Sequence, residues 1–322
     1  MMRQAGRYLP EYRAIRERVE FLALCKTPDL AAQASLQPIE RFGMDACIVF
    51  SDILIPVEAM GAPVEFGDGG PRLAQPVRTS ADVERLHPFD PNTQTEFVMT
   101  ALRRTRAALR DRAALVGFCG APYTLASYLV EGGASKTFAT IKAMLYTEPG
   151  LAHRLLELLS RVVAEFAAAQ VAAGAQAIQI FDTWAGELEP DAYERFAKPY
   201  QVIVVERIKR AGVPVILYVN GCAGILERMA QSGADVLSID WRLDLAAARA
   251  RLGSGVALQG NVDPTILLTT PNATGAAARA AMRSAGSVGH ILNLGHGVLP
   301  TTPLDCARAF IEAAKAPSAV AS

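Results

Sequence analysis

Most of the sequence motifs that announce a cofactor are missing from this chain. There is no GxGxxG after a first apolar run, no phosphate-cradling GxxxxGK[ST], no HExxH, and no serine nucleophile elbow. Nor is there a His-x-Cys at a strand end with a later Cys, the pattern of a thiol-activating zinc site. What remains is a chemistry of Arg, Asp, Tyr, Thr and His without metal or prosthetic group. Charge of one sign is also lacking: Lys+Arg and Asp+Glu are both 32, so no overall field draws the chain to nucleic acid or to an acidic membrane. Any anion site must be local. Cysteines number five, scattered without a CxxC pair, which argues for free thiols in a reducing, cytoplasmic compartment. The start has no apolar targeting core, and no run of about 20 apolar residues appears later to span a bilayer. Low-complexity tracts and internal repeats are absent, and only the tail at Pro317 and Ser318 reads as frayed.

What is present fits one large, doubly covered core. The chain has 322 residues, 51% hydrophobic and 20% charged, within the size of a single barrel. Thr27-Pro28 is a good helix start, and Gly43 a good stop, so a helix is predicted over 28–41. Short apolar runs of the kind buried on both faces occur at 46–50, 115–119, 177–181, 215–219, 236–239, 256–259 and 291–294. Helical patterns separate them at 92–112, 149–173, 190–211, 225–232, 245–252 and 272–284. Strands that alternate with helices in this way pair in parallel, with helices over the sheet.

Each apolar run ends in small or polar residues: Ser51-Asp52, Gly120-Ala121-Pro122, Asp182-Thr183, Asn220-Gly221, Asp240, Gly260-Asn261 and Gly295-His296-Gly297. In a (β/α)8 TIM-type barrel the C-terminal strand ends and their loops build the active site, so this is the expected functional rim. An open doubly wound sheet would also bind ligands there, but it calls for a glycine fingerprint that this chain does not have. The expected architecture is therefore α/β, a single barrel domain over 1–322 with an irregular insertion around 56–80. Seven strands are visible, and the eighth is expected either to hide in 64–78 or to be atypical.

Several residues invite chemistry. Arg3 and Arg7 flank a small Ala5-Gly6 turn after Gln4, and two planar guanidinium forks on a tight loop suit a ligand with several carboxylates or phosphates. An ordinary solvated turn is the plain alternative. Asp52, Asp182 and Asp240 stand at strand ends, where an Asp serves equally as a cap or an anchor. Tyr128 follows a strand–turn–helix segment whose helix N-terminus would favour an anion if it faced the site; a core role is the alternative for the tyrosine. Of four histidines, only His296 lies in a Gly-His-Gly turn after a strand, while His87 and His153 read as surface residues.

Six stretches resemble the uroporphyrinogen decarboxylase family: MRQAGRYLPEYR at 2–13, FSDIL at 50–54, GFCGAPYTLASYLVEGG at 117–133, IQIFDTWAG at 178–186, LQGNVDP at 258–264 and NLGHGVLPTTP at 293–303. The resemblance spans almost the whole chain. It implies a homodimeric (β/α)8 barrel that removes the four acetate carboxyls of uroporphyrinogen III as CO2, giving coproporphyrinogen III, with no cofactor. Carried onto this chain, Arg3, Gln4, Ala5, Gly6 and Arg7 would bind substrate carboxylates and Asp52 the centre of the macrocycle. Tyr128, Thr183 and His296 would take further groups, and family members carry Ser or Thr at the position of Thr183. Asp52 would stabilise the pyrrole cation and Arg3 or Arg7 would assist at the reacting acetate, with His296 the group of better matched pKa. Family members usually carry a segment before the arginine loop, whereas this chain begins one residue ahead of it, so the loop is expected to be the least ordered part of the site until substrate binds. Two other readings share the ligand or the barrel: a zinc-dependent cobalamin or thiol methyltransferase, and a non-catalytic tetrapyrrole-binding protein.

Overall fold

A computed structural model of the chain describes residues 1–67 and 70–315. The expectation for Pro317 and Ser318 falls outside them. Among the described residues nine strands are formed: β1 (Ala46–Ile48), β2 (Val64–Gly67), β3 (Gly70–Leu73), β4 (Ala114–Gly120), β5 (Ala177–Asp182), β6 (Val215–Val219), β7 (Val236–Ser238), β8 (Ala257–Val262) and β9 (His290–Leu294). Seven of them make one sheet in the order β1-β4-β5-β6-β7-β8-β9, and every pairing is parallel. The strands of this sheet follow one another in chain order, with helices between them, no reversal of order, and the β2–β3 hairpin set aside between β1 and β4. That is the winding of a TIM-type barrel, not of a doubly wound sheet.

The local chemistry explains the pattern. Val215–Val219 is buried at all five positions, as a β-branched strand covered on both faces must be. The helix Pro28–Phe42 opens on proline, whose missing N–H is no loss there, and closes on Gly43 in the left-handed conformation (φ 62°). Two expected helices are each interrupted: 92–112 divides into Pro91–Gln94 and Glu96–Leu109, and 190–211 into Pro190–Phe196 and Lys198–Arg210. All five cysteines are free and buried.

The eighth strand is not in 64–78, the first of the two expectations. β2 and β3 pair antiparallel with each other, and the hairpin docks on the end of the helix Pro122–Glu131 through the Leu73 N–H to Gly132 O bond (3.0 Å). Among the described residues the barrel sheet has seven strands, and its seam between β9 and β1 is crossed by the first residues of the chain. The Met2 N–H donates to Asn293 Oδ1 (2.7 Å), the Val298 N–H donates to Met2 O (3.0 Å), and Gln4 Nε2 donates to Ala46 O (3.0 Å). Met2 and Gln4 are both buried. Two of these three bonds use a side chain, where elsewhere around the barrel backbone pairs with backbone.

Candidate active site

The arginine loop stands where that seam opens onto the strand-end rim. Arg3 takes a left-handed backbone (φ 57°), which turns the chain sharply between the buried Met2 and Gln4. Its side chain runs across Gly297: a Cβ on that glycine would come 2.3 Å from Arg3 Cδ and 2.9 Å from Nε. The missing side chain at 297 is thus the groove in which Arg3 lies. The backbone N–H groups of Gln4, Ala5 and Gly6 have no hydrogen-bond partner among the described residues. Gln4 has its side chain occupied within the protein. Its side-chain amide is turned into the barrel wall against Ala46 and Met1, so any contact it makes with a ligand is through its backbone.

Asp52 follows β1 and is half-buried. Its Oδ1 accepts the Leu54 N–H (2.8 Å), and Oδ2 has no partner among the described residues. Burial raises its pKa to about 6, and the Leu54 N–H and the Arg3 charge only partly offset that. Tyr128, one face of whose ring packs on Trp184 with centroids 4.1 Å apart, senses the same two charges. Burial and then Asp52 push its hydroxyl up to about 12, so it is a hydrogen-bond donor at any working pH. Thr183 stands half-buried beside Trp184, and no side-chain partner for its hydroxyl is found among the described residues.

His296 completes the group. Its Nδ1 accepts the Gly297 N–H (2.7 Å), so a neutral ring carries its proton on Nε2. Burial, then the charges of Arg3 and Arg242, press its pKa down to about 4. Tyr218 meets the imidazole edge-on with centroids 6.0 Å apart and donates its hydroxyl to Gly295 O (3.0 Å). A neutral His296 is a hydrogen-bond donor, not a proton reservoir, near neutral pH.

Arg3, Asp52, Tyr128 and His296 therefore share one electrostatic neighbourhood. Arg7 stands apart: it is exposed, its carbonyl accepts from Arg13 Nη1 (3.1 Å), and the group that feels its charge is Tyr12. The other two strand-end aspartates are anchors. Asp182 is fully buried, accepts the Thr124 N–H (3.1 Å) and hydroxyl (2.7 Å) on Oδ1, and accepts Gln201 Nε2 (2.7 Å) on Oδ2. It occupies the N-terminus of the helix Pro122–Glu131, so the anion expected there is the protein's own. Asp240, also buried, accepts the Gly221 and Cys222 N–H groups on Oδ2 and the Arg242 N–H on Oδ1. His153, expected at the surface, is half-buried; it stacks on Phe196 and pairs with the Tyr200 hydroxyl (2.6 Å).

Sequence reasoning passed over Tyr218, Trp184, Trp241 and Arg242. The last two follow Asp240 directly, and their place after a strand was the available signal. Among the described residues no group of three or more His, Cys, Asp and Glu is arranged to hold a metal ion. Cys222, in the segment where the methyltransferase reading would look for a ligand, is buried and its thiol is pushed up to about 12, first by burial and then by Asp240.

A parallel barrel with its polar and charged side chains gathered on the strand-end loops defines the class: a (β/α)-barrel enzyme. The chain matches the family described as uroporphyrinogen decarboxylase (URO-D) over residues 1–317 and belongs to that family. It is 50% identical over 313 residues to the uroporphyrinogen decarboxylase of Myxococcus xanthus, covering 97% of this chain and 90% of that protein. To the uroporphyrinogen decarboxylase of Gloeobacter violaceus it is 46% identical over 318 residues, 98% of this chain and 92% of that one. Among solved structures, a methyltransferase from Methanosarcina mazei is similar with a TM-score of 0.76 at 23% identity, over 90% of this chain and 86% of that one. A B12-independent methionine synthase from Shewanella gives a TM-score of 0.57 at 13% identity, over 89% and 87%. At such identities these two speak to the fold alone. No described helix is long and apolar enough to cross a membrane.

Proposed function

We propose that this chain decarboxylates the four acetate side chains of uroporphyrinogen III to give coproporphyrinogen III. Each acetate loses CO2 and takes up one proton to become a methyl group. The observation that carries the reading is the half-satisfied carboxylate of Asp52 beside Arg3, Tyr128 and a neutral His296. Decarboxylation of a pyrrole acetate needs an electron sink, and protonation of the adjacent ring carbon makes the pyrrole iminium-like. The C–CO2 bond electrons then flow into the ring; the exocyclic methylene takes a proton, and the ring carbon gives one up. An ionised Asp52 with Oδ2 facing the pyrrole N–H groups stabilises that cation, in a cleft where charges act strongly. Family membership and the near full-length likeness to named decarboxylases support this activity.

The loop 3–7 supplies the carboxylate contacts: the Arg3 and Arg7 guanidinium groups and the backbone N–H groups of Gln4, Ala5 and Gly6. Arg3 lies nearest the Asp52 carboxyl in charge terms and is the group that assists at the reacting acetate. Tyr128 and Thr183 offer hydroxyls, and His296 offers Nε2–H. The protein works in the cytoplasm as a homodimer and needs no cofactor; sedimentation of the purified chain tests the dimer, and metal analysis of active protein tests the last point.

Anaerobic incubation with chemically reduced uroporphyrinogen III, followed by separation of the hepta-, hexa-, penta- and tetracarboxylates, tests the activity. Sequential loss of four carboxyls is expected. Tight binding of the octacarboxylate with no CO2 released would overturn catalysis in favour of a carrier.

A further inference from the structure

The loop after β7 carries an arginine that the family resemblance did not single out, held by a ring and by two hydrogen bonds. Asp240-Trp241-Arg242 follows the strand directly. The Arg242 guanidinium carbon lies 4.2 Å from the centroid of the Trp241 ring, within the range in which a cation is attracted to an indole face. Nη1 donates to Asn220 Oδ1 (3.1 Å) and to Asp240 Oδ1 (3.2 Å), so one corner of the fork is tied to a fully buried carboxylate. Nε–H and Nη2 have no partner among the described residues, and the residue is exposed.

The loop that presents this fork is braced from below. Asn261 Nδ2 donates to both Asp240 O (3.0 Å) and Leu243 O (2.5 Å), closing a staple across residues 240–243. Gly295 approaches so closely that a Cβ there would come 2.5 Å from Trp241 N, which packs the loops after β7 and β9 backbone to backbone. Trp241 meets His296 with ring centroids 6.4 Å apart, and His296 feels the charges of Arg3 and Arg242 together. Two cations thus flank one neutral imidazole, with Arg242 on the side away from the seam. A planar fork with an edge left open and its rotamer fixed by stacking suits bidentate capture of a carboxylate.

From this geometry we infer that Arg242 is a specificity-determining residue, a second carboxylate subsite that takes a peripheral carboxyl group of the porphyrinogen other than the one that leaves. The inference rests on the proposed decarboxylase reading. Trp241 and Asp240 are positioning residues for it. Because the fork contacts a group that does not change during reaction, its contribution is to binding, equal in ground and transition states.

The test compares Arg242→Gln and Arg242→Lys with the unaltered protein. For Arg242→Gln, KM for uroporphyrinogen III rises about tenfold, as for loss of a charge-assisted hydrogen bond, while kcat stays within about twofold. Arg242→Lys restores part of the loss, and the dependence of kcat/KM on salt is shallower for the Gln variant than for the Lys variant. Coproporphyrin III, which keeps the propionates and lacks the acetates, serves as a stable probe. Its binding is read by quenching of the only two tryptophans, Trp184 and Trp241. Weaker quenching affinity in Arg242→Gln means that the subsite takes a propionate; unchanged affinity with the raised KM means that it takes an acetate. Either result supports the subsite. An unchanged KM, or a fall in kcat at constant KM, overturns it. Should the unaltered protein release no CO2, the decarboxylase reading fails, and equal affinity for uroporphyrin III, which keeps all eight carboxyls, in all three proteins then overturns the subsite on its own.

Discussion

Asp52 and Asp182 look alike in the sequence and do opposite things in the fold. Each follows an apolar strand, each has the pKa of its carboxyl raised to about 6, and in each burial is the leading cause. Their partners differ. Asp182 has both oxygens satisfied, by Thr124 and by Gln201, whose own carbonyl is held by the Tyr193 hydroxyl (2.7 Å). Asp52 has one oxygen on the Leu54 N–H and one without a partner among the described residues. A closed carboxylate fixes a loop, whereas an open one is available to a substrate. The raised pKa alone does not separate them; the hydrogen-bond inventory does.

The largest expected effect falls on Asp52. Asp52→Asn keeps the shape and the Leu54 bond but removes the charge, so kcat should drop roughly 100- to 1,000-fold with the thermal midpoint unmoved. Turnover near that of the unaltered protein would sink the role given to Asp52. Asp182→Asn should do the reverse. Its amide would face the Gln201 amide, and the folding free energy should fall by about 1–3 kcal/mol in urea titration while kcat per folded molecule holds. If Asp182→Asn lost turnover without losing stability, the two residues would not differ in the way described.

The pH dependence sharpens the contrast. Between the ordinary value of 3.8 and about 6, the native Asp182 holds a proton that the unfolded chain has released. Its contribution to stability is therefore complete below the unfolded value and is lost as pH rises through about 6. Asp182→Asn should flatten that stretch of the stability curve. Activity follows Asp52, whose ionised form is the useful one: kcat/KM should fall about tenfold per pH unit below 6, read from initial rates. His296, pressed down to about 4, stays neutral until the lower end of that window. The smallest effect concerns the groove for Arg3. Gly297→Ala would place a methyl where Arg3 Cδ and Nε now lie, displacing a flexible side chain and not backbone. A rise in KM of about fivefold, with kcat less affected, is the expected reading from initial rates.

Much of this was legible beforehand. The strand runs at 215–219 and 291–294 are continuous and apolar, and their alternation with helices is enough to indicate a parallel barrel; β6 and β9 form there. The strand-end rim, the Gly-His-Gly turn and the paired arginines could be named from residue type and spacing. The eighth strand could not be placed, because a hairpin pairing to itself and a strand joining the barrel have the same local pattern. The path of the Gln4 side chain could not be read for a similar reason: nothing in its neighbours says that its amide crosses the seam to Ala46. Arg242 escaped notice because stacking on Trp241 and the tether to Asp240 depend on the path of the loop.

By itself the sequence determined the class of fold and which residue types reach the rim, since burial of apolar runs and the turn preferences of Gly and Pro act over a few neighbouring positions. Only the tertiary structure decided which of three similar aspartates stays open, which arginine shares a field with Asp52, and how the first residues cross the barrel seam. Those outcomes depend on hydrogen bonds between residues as distant in the chain as Met2 and Asn293, and a charge or a donor acquires its role only when such a partner is present or missing.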